Sequence, residues 1–448
     1  MKENRKQRLT DLGAEVLADA LLELAGQDDA ADDLVERIIA SPKENIHRFK
    51  AKLAAFKRSR RFVSWGESAG FARDLATLLQ DLRAGVADPQ KGAELVAAFY
   101  ETDKGVFDHC DDSSGHVGDV YRYNAKELFV GYAQRCPDKE WLADLVFKLN
   151  RDDDYGVRDR LIDCAAEYLP KENIRALISR IQNAADKEKD KYGKRHWLHL
   201  IETLARQIGD AQLFAEARLA SWGKLSSSAC MDIAQVYLES GDVQAALSWV
   251  KKISSDETYE ADKRDRLLFA IHDRLGETEK RAEVAWRIFR RRRSKDSLEE
   301  LLAVIGEEHR EAATTGEMES IFGDNRLTFS DVTFLLELER LDQAENYLLD
   351  RAGQLNGDFY GSLLPLAETF ENVDRHLAAS VVYRPLLDSI LRHGRTKAYP
   401  HGVRYLQKLD RLARHVSDWR GQLNHDAYLL QLRQSHGRKI SFWSQYGK

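Results

Sequence analysis

Residues 108–119 crowd carboxylates, imidazoles and a thiol into one short stretch: Asp108, His109, Cys110, Asp111, Asp112, Ser113, Ser114, Gly115, His116 and Asp119. Oxygen and nitrogen donors at this density are what a metal ion takes, with Asp108, His109, Asp111, Asp112 and His116 as the ligand set. The spacing argues otherwise. A helix-loop-helix calcium site needs alternating acids, a central glycine and a bidentate glutamate six residues after it, and the residue six after Gly115 is Tyr121. Turn chemistry accounts for the stretch more cheaply. Ser and Asp side chains bond the free amides of a following helix, Gly115 permits the turn, and Asp119 falls in the acidic first turn. A metal-dependent enzyme at this loop is therefore the third-ranked function, and no metal, cofactor or catalytic residue is assigned.

A second acidic turn, Asp152, Asp153 and Asp154 with Gly156, lies about one helix-hairpin period further on. Asp111 and Asp112 with Asp152 to Asp154 are thus candidates for an acidic edge that receives a basic partner, although solvated loops have the same composition. Two basic clusters offer the opposite charge. Arg58, Arg60 and Arg61 follow Lys57, and Arg290, Arg291, Arg292 and Arg293 lie between Arg287 and Lys295. Each suits a phosphate and each suits the negative end of a helix, and the helix-end reading is preferred. The preference is weaker at the second cluster. It lacks interleaved aromatics for stacking, yet like charges this dense repel one another unless something answers them.

No phosphate-binding GxxxxGK[ST], no GxGxxG after a strand, no HExxH and no GxSxG occurs. Cys110, Cys136, Cys164 and Cys230 form no CxxC pair, so spacing indicates neither a zinc site nor a disulfide framework, and reduced thiols are expected. A net charge of −6 over 448 residues sets up no global field for nucleic acid or membrane. Nowhere do 18 uncharged apolar residues run together, and the first residues, basic but without an apolar run behind them, do not read as an export signal. The expected location is cytoplasmic, with no membrane association.

The elements that must position these residues are helices. At 226–253, Cys230, Ile233, Ala234 and Tyr237 recur at i, i+3, i+4 and i+7, and Val243, Ala246, Leu247 and Val250 repeat the pattern. Gly241 suits the left-handed end of the first helix and Asp242 the cap of the second. Tyrosine, glycine four later and alanine five beyond match the tetratricopeptide pattern, and Gly209–Asp210 precedes Gly241–Asp242 by 32 residues, near that repeat's roughly 34. One hairpin cannot bury both its stripes, and the length exceeds a single core, so hairpins must stack. The expected fold is all-α, a tetratricopeptide-like α-solenoid of stacked antiparallel helix hairpins. Its parts are a helical region at 1–170, regular hairpins at 171–306, a looser connection at 307–325 with few apolar anchors, and helical repeats with capping helices at 326–448.

Five stretches carry a resemblance: RRFVSWGESAGFARDLATLL, VFDHCDDSSGHVGDV, DDDYGVRDRL, AASVVYRPLLDSILRHGRTKAYPHGVRYLQKL and HDAYLLQLRQSHGRKISFW. Together they are similar to an uncharacterised family of bacterial helical-repeat proteins, related to the C-terminal helical region of bacterial SWIM zinc-finger proteins. The finger's CxC and CxH pairs have no counterpart around the four cysteines. The resemblance implies a helical-repeat fold and no reaction. The leading expectation is a non-enzymatic scaffold holding a protein or peptide on its concave surface, followed by a nucleic-acid-associated protein using the basic clusters.

Overall fold

The computed structural model describes residues 2–254 and 260–447, and the chain divides into two compact units, Met1–Asp256 and Glu257–Lys448. Unit 1 begins with α1 (Lys2–Thr10), α2 (Ala14–Ala25), α3 (Asp29–Ile39), α4 (Pro42–Arg58), α5 (Ser68–Gly85), α6 (Pro89–Tyr100), α7 (Asp103–Phe107) and α8 (His116–Asp119). It continues through α9 (Lys126–Arg135), α10 (Lys139–Arg151), α11 (Asp159–Asp163), α12 (Lys171–Lys187), α13 (Lys191–Ile208), α14 (Ala211–Trp222), α15 (Ser227–Ser240) and α16 (Val243–Val250). Unit 2 opens with α17 (Ala261–Arg274), α18 (Thr278–Arg291), α19 (Lys295–Ile305) and α20 (Arg310–Gly323). It ends with α21 (Phe329–Glu337), α22 (Leu341–Asp350), α23 (Tyr360–Asn372), α24 (His376–Arg392), α25 (Tyr399–Ala413), α26 (His425–His436) and α27 (Ile440–Tyr446). The fold is all-α. Among the described residues the only β-type pairing outside the helices is one parallel bridge between Val63 and Cys110.

Local chemistry starts and stops these helices as the residue types require. Ser41 and Glu44 cap α4 reciprocally, the glutamate accepting from the Ser41 amide at 2.6 Å. Asp210 accepts from the Leu213 amide at 3.1 Å and Asp242 from the Ala245 amide at 2.9 Å. Before each of them, Gly209 and Gly241 have φ of 73° and 95°, the left-handed conformation that ends a helix and that a Cβ disfavours. The paired glycine and aspartate therefore do the same work 32 residues apart.

Each unit has its own apolar core. In unit 1 it includes Phe49, Leu78, Phe99, Tyr121, Phe129, Leu142 and Ile162. In unit 2 it includes Phe289, Leu298, Phe334, Tyr347, Phe370 and Leu406. Gly92 on α6 is the close approach to α9: an added Cβ would run into the Tyr132 ring, whose hydroxyl donates to the Leu82 carbonyl at 2.8 Å near the end of α5.

One expectation from the sequence is corrected. The stretch 307–325, expected as a looser connection, is a short 3₁₀ turn (Glu307–His309) followed by α20, whose buried residues are Ala313, Glu317 and Ile321. These recur at i, i+4 and i+8, a helical stripe whose middle position is a carboxylate, so apolar periodicity alone passes over it. A π-helical turn, Val120–Ala125, lies between α8 and α9.

Ala246 on α16 is fully buried where α16 folds back on α15. Ala246→Trp is expected to cost about 3 kcal/mol because the indole has no volume to enter. Chemical denaturation of the purified variant checks this.

Candidate functional site

The two acidic turns meet at one edge of unit 1. After α4 the backbone of Val63 pairs with the loop behind α7, its amide donating to the His109 carbonyl at 2.8 Å and its carbonyl accepting from the Asp111 amide at 2.9 Å. The second turn is tied to the same loop. The Tyr155 ring lies 4.9 Å from Phe107, its hydroxyl donates to Asp108 at 2.5 Å, and Lys104 pairs with Asp154 at 2.6 Å. Beneath them is a buried ion pair. The Arg158 fork donates to both oxygens of Asp103, at 2.7 and 2.6 Å, and also to the Leu149 carbonyl at 3.0 Å. Beside it Thr102 donates to the Phe99 carbonyl at 2.7 Å, which leaves the Tyr121 hydroxyl to donate to Thr102 at 2.8 Å. Tyr121 is the second residue of the π-helical turn, and its carbonyl accepts from Tyr100 at 2.9 Å.

At this edge the carboxylates are occupied by the chain itself. Asp112 accepts from the Val117 and Gly118 amides at 2.9 and 2.8 Å, and Gly115 is left-handed with φ of 77°. Asp111 accepts from the side chain and amide of Ser113, which hold its carboxyl below the usual range. Asp153 accepts from the amides of Tyr155, Gly156 and Arg158, and Asp152 pairs with Arg151, which lowers its carboxyl. By accepting a hydrogen bond from the neutral phenol, the Asp108 carboxylate raises Tyr155 above the ordinary tyrosine range. Of the metal candidates, His109 turns its Nδ1 to the Gly105 carbonyl at 2.9 Å and His116 is exposed. Among the described residues no three His, Cys, Asp or Glu side chains gather as a metal site. All four cysteines are buried free thiols, and burial pushes Cys164 up to about 11, away from the reactive thiolate.

The basic clusters part company. Arg58 and Arg60 are exposed and make no ion pair among the described residues, while Arg61 pairs with Glu67. Beside them Phe62 and Trp65 are 60% and 63% exposed. The run in unit 2 is instead answered by buried acids. Arg287 and Arg291 reach Asp265 at 3.0 and 2.5 Å, and Arg291 also reaches Asp262 at 2.8 Å. Arg290 and Arg293 reach Glu317 at 2.6 and 2.9 Å, and Arg293 reaches Asp331 at 3.0 Å. Burial works against the charge on Arg293, yet Glu317 and Asp331 hold it above the ordinary guanidinium range. Arg292 is exposed.

Two cavities differ in character. A cleft of about 910 Å³ is lined by charged groups of α3, α4 and α5, including Arg37, Lys52, Arg73 and Asp74. A groove of about 510 Å³ lies among α17, α18 and α19. Phe269, Ala285, Ile288, Leu301, Ala303 and Val304 give it an apolar surface, and Arg266, Asp273, Arg281, Ser297 and Glu300 bring both signs of charge and a hydroxyl. The groove is absent from the sequence reading because its apolar residues share the stripes that pack the helices together.

The chain belongs to a family of unknown function, DUF6880, whose model matches residues 3–445. No curated protein matches it. No helix among the described residues is long and apolar enough to cross a membrane.

The geometry changes what neutralising the arginine run should do. If Arg293 only met a helix dipole, its loss would cost tenths of a kcal/mol. Because it answers two buried carboxylates, Arg293→Gln is expected to cost about 3 kcal/mol, whereas Arg58→Gln leaves stability unchanged. Urea denaturation of the two variants beside the parent chain measures the difference.

Proposed function

We propose that this member of an uncharacterised family is a non-catalytic helical scaffold, a solenoid of stacked tetratricopeptide-like hairpins that holds a protein or peptide segment in the cytoplasm. The groove among α17, α18 and α19 carries the reading. It joins half-buried Phe269, Ile288 and Val304 to a margin bearing Arg266, Asp273 and Glu300, the combination that takes apolar anchors and fixes their direction by charge. Selection of a phage-displayed random peptide library against the purified chain is expected to enrich sequences with spaced apolar anchors. Phe269→Glu and Ile288→Glu should each abolish binding without unfolding the protein. Enriched peptides that bind both variants as well as the parent would remove the groove from the reading.

A second reading has one observation of its own: Arg58 and Arg60 stand unpaired among the described residues next to exposed Phe62 and Trp65, a basic surface with rings for stacking. It ranks below the first because two cations release few counterions. Fluorescence polarisation with a single-stranded oligonucleotide at about 150 mM salt should give a Kd no tighter than about 100 μM. Low-micromolar binding that falls steeply with salt and disappears in the Arg58→Ala, Arg60→Ala double variant would reverse the ranking.

A further inference from the structure

The first helices of unit 1 leave much of their apolar surface in water. In α2 no residue is buried, and across α2 and α3 the side chains of Val16, Leu22, Leu24, Leu34, Ile38 and Ile39 are between 37% and 69% exposed. Val16, Ala20 and Leu24 recur at i, i+4 and i+8, and Leu34 and Ile38 at i and i+4, so each helix bears an apolar stripe besides the residues that join the pair. Half-buried Leu17 and Leu21 and buried Val35 fill the joining role. Another side of α3 is fixed to the body of the unit by charge. Asp33 pairs with Arg48 and Lys52, each at 3.0 Å, and Glu36 pairs with Arg48 at 3.2 Å. The hairpin is therefore anchored with its outer stripes uncovered.

We propose that these stripes are the interface to a second copy of this chain, two α2–α3 hairpins packing across a two-fold axis as a four-helix bundle. The area is of the right order. Val16, Leu24, Leu34, Ile38 and Ile39 expose roughly 500 Å² of side chain per protomer before any polar rim is counted, toward the about 800 Å² a side of a standard interface. The charge pattern selects a copy of the same chain over a membrane. Glu15, Asp19, Glu23 and Asp32 give the hairpin an acidic margin, which an anionic bilayer repels. Exposed Arg5, Lys6 and Arg8 on the preceding α1 supply the opposite sign. A surface with both signs and an apolar centre is self-complementary across a two-fold axis, where the basic helix of one copy meets the acidic margin of the other.

Sedimentation velocity of the full chain from about 1 to 50 μM tests this. The expected mass at the upper end is twice the 51.2 kDa of one chain. Leu24→Glu with Ile38→Glu, at positions already in water, should raise the dimer dissociation constant about 100-fold or more while circular dichroism, and the melting temperature at a concentration where the parent is a monomer, stay unchanged. Asp19→Lys with Glu23→Lys leaves the apolar stripe intact and should weaken the dimer as well. A monomer throughout the range overturns the proposal, as does a dimer indifferent to the Leu24 and Ile38 changes. Retention of a monomer on phosphatidylserine-containing vesicles would assign the stripes to a membrane instead and overturn it too.

Discussion

A carboxylate withdrawn from water has to be met by a cation, and pairs of this kind run through the interior of both units. Asp103 and Arg158 in unit 1 are almost wholly buried, and desolvating each ion costs several kcal/mol before their attraction returns anything. Burial accordingly raises the Asp103 carboxyl above its ordinary range, with the guanidinium pulling against it. What makes the arrangement tenable is saturation: both Asp103 oxygens accept from the Arg158 fork, and a further nitrogen of the fork donates to a carbonyl. Unit 2 repeats the solution with Asp265, Glu317 and Asp331, each buried and each met by at least one arginine of the 287–293 run. Such pairs add little net stability over an apolar core, but any single removal leaves a stranded charge, so they fix which loops and helices lie together.

Helix type and helix ends were legible in the sequence because they obey local rules. Gly241 and Asp242 need only their own φ preference and one nearby amide, and their roles follow from residue type. Glu317 was not legible, since a pattern read by hydropathy places a glutamate in solvent, and only the arginines of α18 and after it bring this one inside. The signal that existed was the density of that run, more positive charge than a helix end can use. Nothing local announces that Val63 pairs with Cys110 or that Asp103 finds Arg158, because 47 and 55 residues separate the partners in a chain where charged residues are common.

The same pairings decide how much of the charged sequence remains for a partner. Four of the carboxylates in the two acidic turns, Asp108, Asp111, Asp112 and Asp153, are engaged by the chain's own hydroxyls or amides, and Asp152 and Asp154 by Arg151 and Lys104. An edge that looks strongly acidic in sequence thus presents a weaker field than its composition suggests, and salt screens what is left within about 10 Å. In unit 2 the arginine run loses its reach for phosphates for the same reason: Asp265, Glu317 and Asp331 already hold the guanidinium groups of Arg287, Arg290, Arg291 and Arg293.

With so much charge satisfied internally, the recognition proposed for this chain falls to apolar surface. The groove among α17, α18 and α19 has room for a few side chains rather than a folded face, so the binding proposed there would depend on how completely one or two anchors fill it and not on area. The α2–α3 stripes are the opposite case, a broad surface whose proposed self-association would draw its affinity from matching two extended faces. A small groove suits a segment that is captured and released, and a broad apolar stripe suits an association that persists. The acidic margins beside the stripe then matter mainly for register and for rejecting wrong partners, since surface charge contributes more to specificity than to binding strength.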